Sequence, residues 1–414
     1  MIGGLARAAA ARARSLRTAS TVGRLPPAGV IGCVVVAVGS GFALDLVVQA
    51  RSTPNWHPID FFHTYSAAHA ILNGRPPFRA GYIDLPSLAV LLIPLTFVPK
   101  WAAYWLFTAL TGAAVGVGSA LFAARMGWAK PWLVGLAVVS SWTCIYGMYL
   151  GQPEGLLFAD AVAAVALARR RMLFWAGITA GALLIKPTVT WPIPVFLLLS
   201  LWHERQALLT YVRGLALSAV ACVALGAWVL PSWFTAAVHF SSGVGTQQTV
   251  LSLDGLLRLA PSSWGLGTGI LSPGPLVILA LGIGLLAWIG KAVLSTAGRD
   301  EASLILEWSV WVPVAVWLAV TPYDHTYDEL FLVPLIMLVA GPDGVRLSQP
   351  QVAVSLLAAA ILPATGAVGL FLSGPSLAPL GIAAFVTLGV FGFRALHLPR
   401  AIAASPPEPV SSRR

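Results

Sequence analysis

Charge is scarce in this sequence. Only 10% of its 414 residues are Asp, Glu, Lys or Arg, and 58% are hydrophobic. Ordinary soluble domains carry about 25% charged residues. A soluble chain of this makeup would expose too much apolar surface, so lipid is the solvent it implies. Cysteine is nearly absent. Cys33, Cys144 and Cys222 each lie in an apolar run, which leaves no disulfide framework and reads as small buried hydrophobes. A continuous basic face is missing as well, despite a net charge of +10. The arginines sit ahead of the first apolar run (Arg7, Arg12, Arg14, Arg17, Arg24) and in short loops (Arg169, Arg170, Arg171). That is the positive-inside pattern of a membrane protein and not a track for nucleic acid. No internal repeat and no inverted pair of broken helices of the transporter kind is evident.

What the sequence has in abundance is long apolar runs. The first, from about Ala28 to Val48, ends near a Val48-Gln49-Ala50 tripeptide that resembles a signal-peptidase site. The run is too long for a signal sequence, and it is expected to be a retained span. Later spans are expected near 101–124, 131–150, 155–168, 172–186, 189–202, 207–230, 267–290, 303–321, 329–341, 351–372 and 376–393. The expected fold is therefore an all-α polytopic membrane protein of about 12 transmembrane helices with both termini cytoplasmic. Leu85–Val98 is too short to span and is expected to lie in the interface. With that layout 19 of the 25 basic residues fall on the inner side. Treating 85–98 as a span would invert every later loop and put the Arg169 triplet outside. The expected organisation is a basic cytoplasmic arm (1–27), one transmembrane domain (28–400, first outer loop 51–100) and a disordered tail (401–414).

Four polar constellations then share the outer side. Asp60, His63 and Tyr65 follow the first span; a carboxylate here can take a proton from an acceptor hydroxyl, or simply cap the next helix. Gln152 and Glu154, in Gly151-Gln152-Pro153-Glu154-Gly155, either line a wet cavity or make a plain turn. Lys186-Pro187 ends a span of about 15 residues, ~22 Å long, short of the ~30 Å hydrocarbon core. Lys186 therefore suits a lipid phosphate, or snorkels to the interface. Asp324, His325 and Tyr327 suit sugar hydroxyls or, less well, a divalent cation; the alternative is a solvated loop with an acidic helix start at Asp328-Glu329. A semi-polar outer loop at 231–264 either closes over a substrate or is a plain connection, and its Arg258 is expected to be a second cation for a lipid phosphate. Asp160 and Glu307 are the deeper intramembrane acids, and a secondary transporter would need one of them for ion coupling. A catalytically silent scaffold is a third class of reading.

The segments "DFFHTYSAAHAILNGRPPF", "LPSLAVLLIPLTFVP", "GQPEGLL", "LLIKPTVTWPIPVFLLL" and "YDHTYDELFLVPLIML", in this order, resemble glycosyltransferase family 87 of the C-type membrane glycosyltransferases. The resemblance covers roughly residues 30–345. It implies a polyprenyl-phosphate sugar donor, inversion at the anomeric carbon, no required cofactor, and chemistry outside the cytoplasmic membrane. By resemblance Asp60 is the base, Lys186 lies by the lipid phosphate, and His325 and Tyr327 fall in a late outer-loop segment; the expected sugar or acceptor contacts are His63, Tyr65, Gln152, Glu154, Asp324, His325 and Tyr327. Family members in mycobacteria and relatives transfer mannose or arabinofuranose to cell-envelope glycolipids and glycans. Mannose is the first expectation here and arabinofuranose the alternative. Two departures stand out: Pro153-Glu154 replaces the hydrophobic residue and asparagine usual after Gly-Gln, and Asp84-Leu85-Pro86 replaces Tyr-Pro-Pro.

Overall fold

The computed structural model describes residues 27–50, 58–75, 77, 86–229, 273–296, 302–321 and 327–340. Every regular element among them is helical. The chain opens with α1 (Pro27–Ala50) and a shorter α2 (Ile59–Leu72). Next come α3 (Pro86–Leu91) and a 3₁₀ turn at Ile93–Phe97, then the long α4 (Lys100–Arg125). Six helices follow in short order: α5 (Pro131–Val139), α6 (Trp142–Leu150), α7 (Glu154–Arg169), α8 (Leu173–Ala182), α9 (Pro187–Thr190) and α10 (Pro192–Ser200). The rest comprises α11 (Arg205–Val229), α12 (Pro273–Thr296), α13 (Ala302–Val320), a 3₁₀ turn at Asp328–Leu332 and α14 (Val333–Ala340).

Within α1, α4, α11 and α12 lie stretches long and apolar enough to cross a membrane, with mean hydropathy of 2.0, 1.7, 1.9 and 2.2. The bent pair α5–α6 makes a fifth if counted as one span. The other expected spans within the described residues are shorter or broken helices. Those expected at 351–372 and 376–393 lie outside the described residues, as do the tail and nearly all of the basic arm. Val35, Val220, Val223 and Leu281 are exposed on these long helices, as lipid-facing side chains should be. The segment expected to lie in the interface is two short pieces, interrupted at Leu92, neither long enough to span.

Small residues bring helices together where apolar burial alone gives no drive in lipid. Gly177 and Gly181 lie four apart on α8 and face Gly214 and Ser218 on α11. A Cβ on Gly177 would stand 2.1 Å from the Tyr211 carbonyl oxygen, and one on Gly214 would stand 2.0 Å from that of Phe174. The α8–α11 contact is thus backbone against backbone. The α5–α6 span is broken by Ser140-Ser141 and bent by 55°. Ser141 caps α6: its Oγ accepts the Cys144 N–H at 3.3 Å and donates to the Val138 carbonyl at 2.7 Å.

The bundle has two chemically different ends. At one, Glu307 of α13 is fully buried. It accepts from Arg169 Nη1 of α7 at 3.0 Å and from Trp311 Nε1 at 2.9 Å, and lies 3.5 Å from Arg125 of α4. One carboxylate therefore ties three helices together. Nearby in sequence, Arg171 pairs with Glu204, and its hydrogen bond holds that carboxyl below the usual carboxylate range. At the opposite end meet the start of α2, the end of α6, the start of α7, the α8–α9 junction and the Asp328–Leu332 turn.

Candidate active site

Asp60 stands in the first turn of α2, whose N-cap is Pro58. It is therefore not the capping residue, and its carboxylate reaches across to the link between α6 and α7. Gln152 Nε2 donates to Asp60 Oδ2 at 2.6 Å, a charge-assisted length. Phe61, next in the chain, is fully buried against Tyr104 and Phe107 of α4. That anchors the turn carrying Asp60.

Gly151 explains how the two segments come so close. It ends α6 in the left-handed region, at φ 78° and ψ 35°, which glycine adopts without cost. The Gln152 N–H then turns back to the Gly147 carbonyl at 2.9 Å, as in helix C-terminal motifs that end on glycine. A Cβ at Gly151 would stand 2.2 Å from Phe61 Cβ and 3.0 Å from its Cα. The missing side chain is the room into which α2 fits. Tyr104 adds a clasp, its hydroxyl donating to the Tyr149 carbonyl at 3.1 Å.

Lys186 reaches the same place from the α8 side. Its residue precedes a proline, which disfavours helical backbone, and it sits at φ −129° and ψ 73°. The Thr190 hydroxyl lies 2.5 Å from the Leu183 carbonyl and 2.9 Å from that of Lys186, stabilising this break. The ammonium donates to Gln152 Oε1 at 3.3 Å and forms an ion pair with Glu154. It also lies 5.0 Å from the centre of the Tyr327 ring, within range of a cation–π contact.

Asp60, Gln152, Glu154, Lys186 and Tyr327, drawn from four separate stretches, are thus one cluster. Gln152, Glu154 and Tyr327, with Thr143 of α6, line a narrow cavity beside it. His63 is half-buried one turn along α2 from Asp60. Tyr65 points elsewhere: its hydroxyl donates to the Val98 carbonyl at 3.0 Å, bracing α2 on the segment before α4. Arg258, Asp324 and His325 lie outside the described residues. Among the described residues, no three His, Cys, Asp or Glu side chains come together as a metal ion would require.

Two members, Thr143 and Tyr146, were not singled out by sequence reasoning, and two more, Asp328 and Glu329, differ from the solvated alternative weighed for them. Asp328 and Glu329 are buried rather than set on a solvated helix start. Thr143 donates to Glu329 Oε2 at 3.2 Å, and Tyr146 stacks on Tyr327 with ring centres 6.4 Å apart. The four-residue spacing of Thr143, Gly147 and Gly151 on α6 is a signal that could have placed Thr143. The intramembrane acids separate. Glu307 is taken up by its arginines at the far end, whereas Asp160 Oδ2 is buried without a hydrogen-bond partner.

The family model described as glycosyltransferase family 87 matches residues 82–322, more than half of the chain. The matched segment holds Gln152, Glu154 and Lys186 but neither Asp60 nor Tyr327. No curated protein and no solved structure matches.

Proposed function

The chain belongs to glycosyltransferase family 87, and from that premise we propose that it transfers a sugar, mannose in the first instance, from a polyprenyl-phosphate donor to a lipid-linked or cell-envelope glycan. The observation that carries this reading is the bridge Asp60–Gln152–Lys186, in which one amide touches both a carboxylate and an ammonium. A base and a cation held on one side of a cavity are what an inverting transfer from a phosphate leaving group needs. The acceptor oxygen attacks the anomeric carbon while its proton passes to Asp60. The bond from that carbon to the phosphate oxygen breaks, and its electron pair leaves with the polyprenyl phosphate. Lys186 stabilises the charge that grows on that phosphate. No strong general acid is demanded, because phosphate is a good leaving group.

In this reading the site end faces out of the cytoplasmic membrane and the arginine-rich end faces in, as the positive-inside rule favours. Donor tails reach the site laterally from lipid. The phosphate must share Lys186 with Glu154, whose carboxylate already neutralises it. His63, Tyr327 and, from outside the described residues, Arg258, Asp324 and His325 complete the proposed sugar and phosphate contacts.

The test is transfer by the purified protein in lipid nanodiscs, with polyprenyl-phosphate mannose and polyprenyl-phosphate arabinose supplied separately with a glycolipid acceptor. Asp60→Asn should lower turnover by at least about 10²-fold while the protein stays folded. Near wild-type turnover in Asp60→Asn would remove the base assignment. Transfer of arabinose alone would replace mannose as the sugar.

A further inference from the structure

Resting on that reading, we infer that Gln152 is a positioning residue that acts through Asp60, not a contact for sugar or acceptor. Its carboxamide is engaged at both ends by protein. Nε2 donates to Asp60 Oδ2 at 2.6 Å, and Oε1 accepts from Lys186 Nζ at 3.3 Å. The side chain is only 8% exposed, so little of it is left to meet a substrate. The two partners also choose the amide's orientation. Turned over, it would set its oxygen against a carboxylate and its NH₂ against an ammonium, losing both bonds and adding two repulsions. Lys186 therefore decides which end of the amide Asp60 meets.

The backbone shows the same constraint. Gly151 in the left-handed region, the Gln152 N–H on the Gly147 carbonyl, and the Phe61 backbone seated where a Gly151 Cβ would be fix where the amide starts. The result is a rigid N–H donor aimed at the charged form of the carboxylate. A donor of that kind favours ionisation, which a base needs before it can accept a proton. It also fixes the carboxylate's direction, leaving Asp60 one defined approach to an acceptor hydroxyl. Among the described residues, the titratable groups near Asp60 include Tyr146 on α6, His63 one turn along its own helix and, through the Gln152 amide, Lys186 before α9 with its partner Glu154 on α7. The Gln152 amide is bonded to both Asp60 and Lys186.

Two substitutions separate the two ends of the amide. Gln152→Leu removes both bonds at similar size. Gln152→Glu keeps an acceptor for Lys186 but faces Asp60 with a second carboxylate. The measurement is the pH profile of kcat/KM in nanodiscs, with donor and acceptor varied separately and folding checked by thermal melting. The acidic limb should move to higher pH by about one unit in Gln152→Leu, as expected when a charged hydrogen bond is lost. It should move further in Gln152→Glu. The acceptor KM should change in neither variant, and the donor KM should rise more in Gln152→Leu than in Gln152→Glu. An acidic limb that stays in place in both variants, or an acceptor KM that rises with kcat unchanged, overturns the inference and makes Gln152 a substrate contact. If Gln152→Leu does not fold, Gln152→Glu alone decides by the same limb. Failure of the base reading itself is distinct, because it appears as activity in Asp60→Asn whatever residue 152 does.

Discussion

Replacing Glu307 by alanine removes the carboxylate that pairs with two arginines and accepts from a tryptophan. The carboxylate is fully buried, with Arg169 at 3.0 Å, Arg125 at 3.5 Å and the Trp311 N–H at 2.9 Å. Both guanidiniums are largely buried, with 13% and 20% of their side chains exposed. Taking one partner from a buried pair costs about 3–5 kcal/mol, because the remaining charge loses its compensation. The orphaned Trp311 donor adds about 1–3 kcal/mol. These losses share one group and do not add in full, so about 4–6 kcal/mol is expected. A fall in melting temperature on the order of 10 °C follows. Glu307→Gln keeps an acceptor but not the charge and should fall between. The assay is tryptophan-fluorescence melting in nanodiscs, with sugar transfer measured per folded protein. Transfer by the folded fraction should persist, since Glu307 belongs to the end of the bundle opposite the site. Unaltered melting in Glu307→Ala would refute the structural role. Normal melting with proton-coupled solute uptake that vanishes in Glu307→Gln would give this residue the task a transporter requires.

Lys186→Ala should raise the donor KM by about 10- to 100-fold, the value of a charged hydrogen bond, and leave the acceptor KM alone; kinetics with each substrate varied in turn would show the reverse if Lys186 did not meet the phosphate. Glu154→Gln should act in the opposite sense and lower the donor KM, because a competing negative charge leaves the ammonium. A higher donor KM together with a lower melting temperature would instead make Lys186 the structural counter-ion of Glu154. Gly151→Ala should cost about 1–2 kcal/mol in backbone strain and push α2 back from a Cβ 2.2 Å from Phe61. Turnover should then drop by about 10²-fold through misplacement of Asp60, and a fully active Gly151→Ala would show that this fit does not set the site. Asp160→Asn should transfer sugar as wild type does, and vesicle uptake that depends on Asp160 would favour transport.

Much of the site was legible as pieces. Asp60, Gln152, Glu154, Lys186 and Tyr327 stand out because polar side chains in so apolar a sequence need a reason. The joins between them were not legible. Glu154 read as a lining residue, and the structure shows it as the buried partner of Lys186. Tyr65 read as a sugar contact, and its hydroxyl is bonded to Val98. Glu307 read as an acid within a span, and distant arginines at 125 and 169 claim it. Asp328 and Glu329 carry the composition of a solvated helix start yet are buried. Each difference concerns a partner more than 30 residues away in the chain or a burial set by other helices, and local pattern contains neither.

Composition and charge placement by themselves determined that the chain is helical, apolar and at home in lipid, because hydropathy and arginine position are local quantities that lipid and its interface read directly. The order of its motifs determined the family. Only the tertiary structure decided that the base, the amide and the lysine form one bridge. Three local breaks make that bridge possible: the bend at Ser140-Ser141, the left-handed Gly151 and the Lys186-Pro187 junction. Each is visible in sequence as punctuation. Which segments they bring within hydrogen-bonding distance depends on how helices far apart in the chain close against one another.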